Sequence, residues 1–549
     1  MHTARCLPVL RRRFHDLDAW VVLILAALFG PTVLGRAAEL PIQGQVIVDA
    51  DFESAVSDPA WQGELQYGPG FDSPRALYVE SRDGAASGST SVRVRLPAET
   101  LRGVTIRGSA MVRAEDVSAK PNSWNGIKFM LAIETPNRKL WPQAALDTGT
   151  FAWKRAVFST KIPADASAVT LTLGLEQVTG GVWFDHVKLV VAKPPRTAKP
   201  APAAGMAFKG HDLPRLRGAM IGPRIDEDGL RTLGHDWNAN LIRWQLIRHG
   251  RPGQPSALAD YDAWLEGELQ RLDAALPWCE RYGIYVAVDL HSPPGGKSTV
   301  SGYVGSDDRL FTDPAVQDKF VDVWRGIARR YKGARPIWGF DLANEPVEEF
   351  VEEGCLDWHG LAERTARAIR EIDPQRTMIV EAPPWGSPES LADFTPIAVP
   401  NVVYSAHMYV PHQFTHQGVH QRDQPPLVYP GEIDGKFWDK AALRAALQPV
   451  ADFQRAYNVH IYMGEFSAIR WAPGDSACRY LRDVIEIFEE QGWDWSYHAF
   501  REWSGWSVEH GPDRNDTRPT AEPTDRQLLL REWFGKNQKP AWAGEKTTP

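Results

Sequence analysis

Pro336-Ile337-Trp338-Gly339-Phe340-Asp341-Leu342-Ala343-Asn344-Glu345-Pro346 decides how this chain is read. Ile337 to Ala343 is apolar except for Gly339 and Asp341, short enough for a strand buried on both faces, and it stops abruptly at Asn-Glu-Pro. A carboxylate is thereby predicted at the carboxyl mouth of a core strand. Val459-His460-Ile461-Tyr462-Met463-Gly464-Glu465 repeats the construction as a second short strand ending in glutamate. Two carboxylates fixed by rigid strands suit glycosidic-bond chemistry, which needs one proton donor and one nucleophile or base. Taken singly, a strand-end glutamate is more often a surface or capping residue, so the surrounding pattern has to decide.

That pattern is an alternation of strands and helices from 208 to 540. Gly218 to Ile221, Asn240 to Leu246 and Ile284 to Leu290 precede the Asn-Glu-Pro strand. Thr377 to Glu381, Val402 to Ala406, Val459 to Glu465 and Trp495 to Phe500 follow it. Between the second and third, Leu265, Leu269, Leu272, Leu276 and Cys279 form one helical stripe that Gly283 ends. Asp313 as N-cap and Pro314 at the first helical position open the next helix. Eight strands with helices between most of them fit a closed (β/α)8 TIM barrel. The glycine-rich turn that a nucleotide-binding sheet needs after its first strand is absent.

Such barrels carry their chemistry at the carboxyl ends of the strands. Read there, the chain offers Arg243, His291, Asn344 with Glu345, His407 with Tyr409, Glu465, and the group His498, Trp503 and Trp506. Trp244, Trp385, Trp471, Trp503 and Trp506 fall on or just beyond strand ends, where flat floors for pyranose rings belong, although some must pack the outer barrel. His412, His416 and His420 are spaced four apart. Pro411, Gly418 and the prolines at 425, 426 and 430 make that stretch a cleft-rim loop, and no metal or other cofactor is expected.

Residues 40–193 read differently. Ser91 to Leu96 and Val169 to Leu175 alternate with period two, and Val104 to Ile106, Ile127 to Ile133 and Val187 to Val191 add further strands between Gly-, Pro-, Asp- and Ser-rich turns. An antiparallel β sandwich is predicted, with Trp61, Tyr67, Trp124, Trp141 and Trp153 as candidates for exposed stacking faces. The four prolines of 194–207 mark a semi-extended Pro/Ala-rich linker. Ahead of all this, Arg11-Arg12-Arg13, an apolar run from Ala19 to about Leu34 and Gly35-Arg36-Ala37-Ala38 read as a signal peptide over 1–38. Export, extracellular or periplasmic, is the expectation, an uncleaved membrane anchor the alternative, and no stable membrane insertion follows cleavage. Cys6 lies in that segment, which leaves an odd three cysteines and argues against a disulfide framework. A net charge of -8 without a basic block gives no reason to expect nucleic acid, and a monomer is expected.

The ordered motifs Arg243, Asp289-Leu290-His291 with Pro294-Gly295, Asn344-Glu345-Pro346, His407-Met408-Tyr409 and Gly464-Glu465-Phe466 resemble glycoside hydrolase family 5, which includes many cellulases. The resemblance spans roughly 216–510. It implies Glu345 as acid/base, Glu465 as nucleophile, net retention of configuration, and supporting roles for Arg243, His291, Asn344, His407 and Tyr409. One departure stands out: His498 occupies the place where the family's eighth strand usually ends in a substrate-flooring tryptophan, leaving Trp503 on the next loop as the expected platform. In the amino-terminal part, Gly181-Val182-Trp183-Phe184-Asp185-His186-Val187 resembles the last strand of jelly-roll carbohydrate-binding modules, and a plain spacer domain stays open. The expected activity is retaining hydrolysis of internal β-glycosidic bonds in a polysaccharide or oligosaccharide. β-1,4-Glucan is the first choice of substrate, and mannan or another β-glucan the alternative. The rival of another class is a catalytically inactive carbohydrate-binding protein.

Overall fold

The computed structural model describes residues 41–53, 60–83, 88–195, 201, 209–248, 258–296, 309–348 and 350–543. The leader and most of the linker read from the sequence lie outside these residues. No helix among the described residues is long and apolar enough to cross a membrane.

The amino-terminal part is all β apart from one short helical turn, Ala98–Leu101. One antiparallel sheet runs in the order Gln66–Gly68, Ala76–Ser81, Gly180–Lys193, Thr105–Val117, Gly149–Lys161, with Val46–Ala50 also paired to Gly180–Lys193. The second sheet has the order Ser89–Leu96, Ala168–Glu176, Gly126–Glu134, Lys139–Leu140. Alternation explains why the sheets face each other: in Ser89–Leu96, Val92, Val94 and Leu96 are buried while Arg93 and Arg95 are exposed. These residues share one core with Ile106, Val112, Phe129, Leu171 and Phe184. Gly149–Lys161, a full strand at the edge of the first sheet, was not foreseen. Only its Ala156 and Phe158 are buried, so the sequence offers little hydrophobic signal.

Eight parallel strands close the second part into a barrel: Arg217–Ile221, Leu241–Gln245, Tyr285–Asp289, Ile337–Asp341, Thr377–Glu381, Val402–Met408, His460–Phe466 and Asp494–Phe500. Their nearly continuous apolar character follows from burial on two sides, helices outside and the barrel interior within. Of the helix stripe anticipated at Leu265, Leu269, Leu272, Leu276 and Cys279, all but the partly buried Leu276 are buried on the helix Tyr261–Tyr282, with Gly283 left-handed at its end (φ 65°). Asp313 caps Pro314–Tyr331 by accepting from Ala315 N–H. Two helices, Lys440–Ala446 and Gln448–Tyr457, precede the seventh strand, because Pro449 starts a new helix instead of continuing the old one. A small hairpin, Gly431–Ile433 with Lys436–Trp438, interrupts the rim loop.

The barrel interior is layered, and the layering places the site. Leu241, Tyr285, Ile379, Val403 and Tyr462 form an apolar cluster with Trp338 near the amino ends. One period-two step further along the same strands come Arg243, Glu381 and Ser405, and beyond them Asp289 and His407. Every one of these polar side chains is buried. The strands thus switch from apolar to charged at mid-height, which is affordable only where charges meet partners.

Trp324 couples the outer helix layer to this interior: its ring is fully buried against Phe340, and its indole N–H donates to Leu342 O at 3.0 Å, three residues before Glu345. Trp324→Ala should lower unfolding free energy by about 3–5 kcal/mol, the usual range for deleting a buried tryptophan. Urea unfolding followed by circular dichroism would measure it, and a loss below ~1 kcal/mol would contradict this account of the packing.

Candidate active site

Arg243 lies at the centre of the site, with no exposed surface. Its guanidinium meets Glu465 at 2.6 Å, Asp341 at 2.8 Å, Glu381 at 2.9 Å and Asp289 at 3.2 Å, and donates a further hydrogen bond to Asn344 Oδ1 at 3.1 Å. Burial alone would discharge it, but the surrounding carboxylates overcome that and hold the cation far above its ordinary range. Asp341 goes the other way. Its own desolvation and the neighbouring Glu381 and Asp289 outweigh Arg243, so its carboxyl is held well above the ordinary carboxylate range.

Glu345 follows the fourth strand in a left-handed backbone conformation (φ 45°), uncommon for a side chain of its size. Glu381 secures it: Oε2 accepts the Glu345 N–H at 2.8 Å. Glu345 Oε1 accepts from His407 Nδ1 at 2.8 Å. The other imidazole nitrogen lies 3.1 Å from Glu381 Oε1 as an ion pair without hydrogen-bond alignment. Against burial, Glu381, Glu465 and Glu345 raise the His407 pKa well above its ordinary value, so the ring is an imidazolium. Gly464 makes room for that ring, since a Cβ there would sit 2.6 Å from Ser405 Oγ and 3.0 Å from His407 Nε2.

The two glutamates are pushed apart electrostatically. Burial raises the Glu345 carboxyl more than the hydrogen bond and charge of His407 lower it. Glu465 is buried as well, yet His407, His498, Arg243 and His291 together pull it far below the ordinary carboxylate range. Tyr409 O–H donates to Glu465 Oε2 at 2.8 Å and accepts from His498 Nδ1. An oxygen of Glu345 and one of Glu465 lie within 4.8 Å of each other. His291 is hydrogen-bonded to Asp289 at 2.7 Å, which orients it at the mouth.

Arg243, His291, Asn344, Glu345, His407, Tyr409, Glu465 and His498 are therefore brought together. Glu381 was read only as a strand end, and Asp289 and Asp341 only as members of motifs. For Glu381 the available signal was its place as the last residue of a core strand, the same signal that marked the other two glutamates. The tryptophans divide. Trp244 is 1% exposed between strands and helices, so the stacking role anticipated for it is corrected: no ring face is free. Trp506 is 7% exposed, its ring packed near Tyr409, His416 and His498. Trp471 is half-buried, its indole N–H bound to Gln417 O and its ring covered by Arg514. Trp385 is half-buried, with its backbone N–H on Pro346 O. Trp503, 40% exposed, keeps the most accessible face. In the amino-terminal sheets, Trp61 and Trp153 pack against Phe52 and Phe71, whereas Trp124 and Trp141 are 62% and 58% exposed.

Two groups have metal-like donor sets among the described residues, Glu345/His407/Glu465 and His211/His460/Asp494. The second lies at the amino ends of the last two strands, where both imidazoles bond to one Asp494 oxygen at 2.7 and 2.8 Å and so use the donor atoms a cation would need. His412, the first residue of the short helix His412–Thr415, stacks at 3.9 Å on His416, which follows that helix.

A barrel whose mouth holds one raised and one depressed glutamate at this short separation defines the class of retaining glycosidases: inverting enzymes keep their carboxyls ~6.5–9.5 Å apart to admit a water. The cellulase family model, glycosyl hydrolase family 5, matches residues 201–507, and the chain belongs to that family. Endoglucanase C of Acetivibrio thermocellus is 31% identical over 262 residues, covering 42% of this chain and 73% of the relative. Cellodextrinase A of Ruminococcus flavefaciens is 24% identical over 245 residues, covering 44% and 70%. The crystal structure of endoglucanase Cel5A of Thermotoga maritima has 23% identity and a TM-score of 0.44, covering 57% of this chain and 96% of its own.

Removing the central cation should leave its carboxylates uncompensated in a dry site. Arg243→Met is expected to cost about 3–5 kcal/mol of stability, the range for breaking one side of a buried pair. Arg243→Lys should fail to restore it, because an ammonium cannot fork to several acceptors. Equilibrium unfolding of the three proteins is the measurement, and an Arg243→Met protein as stable as the parent would contradict the assignment.

Proposed function

We propose that this chain is an exported retaining endo-β-1,4-glucanase in which Glu345 is the acid/base and Glu465 the nucleophile. The observation that carries the residue assignment is the approach of the two carboxylates to within 4.8 Å with opposite pKa shifts. In the first step Glu465 attacks the anomeric carbon and the glycosidic C–O bond breaks, with the proton of Glu345 passing to the departing oxygen. In the second, Glu345 takes a proton from water as that water attacks the same carbon and Glu465 leaves. Arg243 and Tyr409 hold Glu465 ionised and aimed, and His407 supports Glu345. Asn344, fixed by Arg243, is assigned to the sugar 2-hydroxyl, His291 and His498 to the edges of the same ring, and Trp503 to the floor. Similarity to an endoglucanase over most of that relative's length supports β-1,4-glucan as substrate. Export rests on the leader read in 1–38. We assign the amino-terminal sheets to a jelly-roll-like module that holds glycan through Trp124 and Trp141, its two most exposed tryptophans.

Glu345→Ala should lower kcat on unactivated β-glucan by ~10²–10⁴, the worth of a positioned general acid, while cleavage of a dinitrophenyl glycoside, whose leaving group needs no proton, persists. Glu465→Ala should abolish both. Product NMR in the first minutes should show the β anomer, and an α product would overturn the retaining assignment. Because Glu465 must be ionised and its pKa is depressed, the acid limb of kcat/KM should fall below the ordinary carboxylate range. The alkaline limb, set by loss of the Glu345 proton, should lie above that range. A rate that declines from pH 5 upward would contradict this ordering.

For the substrate, kcat/KM on carboxymethylcellulose, mixed-linkage glucan, laminarin, galactomannan and xyloglucan should be highest for the β-1,4-linked glucans. A tenfold preference for galactomannan or laminarin, about 1.4 kcal/mol, would reject the glucanase reading and leave the glutamate pair intact. Retention of the Glu465→Ala protein on insoluble cellulose should drop when Trp124 and Trp141 are also changed to Ala. Unchanged retention would assign the sheets no glycan contact at these rings.

A further inference from the structure

The stretch that follows Glu345, residues 346–348 and 350–357, is gripped from outside the barrel by the amino-terminal sandwich. Lys193, the last residue of the strand Gly180–Lys193, pairs with Glu348 and lies 3.1 Å from Asp357. Arg107 donates to Val351 O at 2.7 Å, and Arg155 Nη2 binds Glu352 Oε1 at 2.9 Å. The guanidinium groups of Arg107 and Arg155 lie 5.9 Å from the Phe350 ring. Three strands of the sandwich thus hold one short stretch of the barrel.

From that grip a continuous set of hydrogen bonds leads inward. Glu348, with one oxygen on Lys193, uses the other to accept Trp358 N–H at 2.7 Å, at the start of the helix Trp358–Ile372. Asp357 caps the same helix by accepting from Gly360 N–H. Trp358 is fully buried, and its indole N–H donates to Glu381 O at 2.7 Å. The Glu381 carboxylate then holds the Glu345 N–H in its left-handed conformation and pairs with Arg243 and His407. The two neighbouring acids keep Lys193 cationic against the effect of its desolvation.

We propose that the sandwich is a clamp on the acid/base: Lys193 and Glu348 are positioning residues that, through Trp358 and Glu381, set the orientation of Glu345 during proton donation. This rests on the reading of Glu345 as general acid given above. A glycan-holding role at Trp124 and Trp141 is independent of it, since neither residue belongs to the clamp.

The test compares full-length Lys193→Met, Glu348→Gln, Lys193→Arg and the control Lys161→Ala, which breaks the sandwich–barrel pair with Asp393 away from residues 346–357. Steady-state kinetics would use a cello-oligosaccharide and a dinitrophenyl cellobioside. Lys193→Met and Glu348→Gln should each lower kcat on the oligosaccharide about tenfold, with KM and the dinitrophenyl rate within twofold of the parent. Lys193→Arg should recover most of the loss, and Lys161→Ala should resemble the parent. Parent-like rates in both Lys193→Met and Glu348→Gln, or equal losses on both substrates, would overturn the clamp. If Glu345→Ala itself shows no selective loss on the oligosaccharide, the acid/base assignment fails instead, and the two failures are thereby told apart.

Discussion

A guanidinium with no exposed surface among four carboxylates is the constraint from which the rest of the site follows. The attraction of one unit charge for another at 4 Å is about 4 kcal/mol at the effective dielectric of a protein, but ~1 kcal/mol in water. Arg243 is therefore worth most where water is excluded, and the apolar layer beneath it, with Trp338 and Tyr462 inside the barrel, does the excluding. Its forked donors also fix directions, so Glu465, Asp341 and Glu381 are held from three strands at once. One planar group thereby aligns strand ends that the barrel alone would only bring near each other.

Much of the barrel was legible because buried strands and amphipathic helices leave opposite marks in a sequence: continuous apolar runs for one, steps of three and four for the other. Gly283, Asp313 and Pro314 set helix ends by local backbone physics, and they appear where that physics puts them. Glu345 and Glu465 were legible for the same reason, since a charge that ends an apolar run needs a partner. Glu381 ends such a run too, but its importance comes from three contacts made by residues 26 to 138 positions away. No local pattern carries that. Trp244 failed in the opposite sense: its position at a strand end was right, but consecutive side chains on a strand point to opposite sides, and its neighbour Arg243 takes the inward one. The edge strand Gly149–Lys161 escaped because only Ala156 and Phe158 are buried along it, too few to leave an apolar rhythm.

His498 shows how a departure from a family pattern can be absorbed. Where a flat indole would be expected, an imidazole bonds to Tyr409 and lies 3.3 Å from Glu502, which in turn accepts from Gln245. Burial disfavours its proton, yet Glu465 and Glu502 raise its pKa, so it adds positive charge beside the depressed glutamate. The position carries a hydrogen-bonded surface where a hydrophobic one would be expected.

The short gap between Glu345 and Glu465 has an electrostatic consequence for the whole reaction. In the proposed first step Glu465 loses its negative charge to a covalent bond just as Glu345 acquires one by giving up its proton. An oxygen of one carboxyl lies within 4.8 Å of an oxygen of the other. The sum of charge in the pocket is the same before and after, and Arg243, His407 and His498 experience a reversed dipole instead of a new monopole. A surrounding that is already arranged for one negative charge in that small space needs little rearrangement to receive it at the other end.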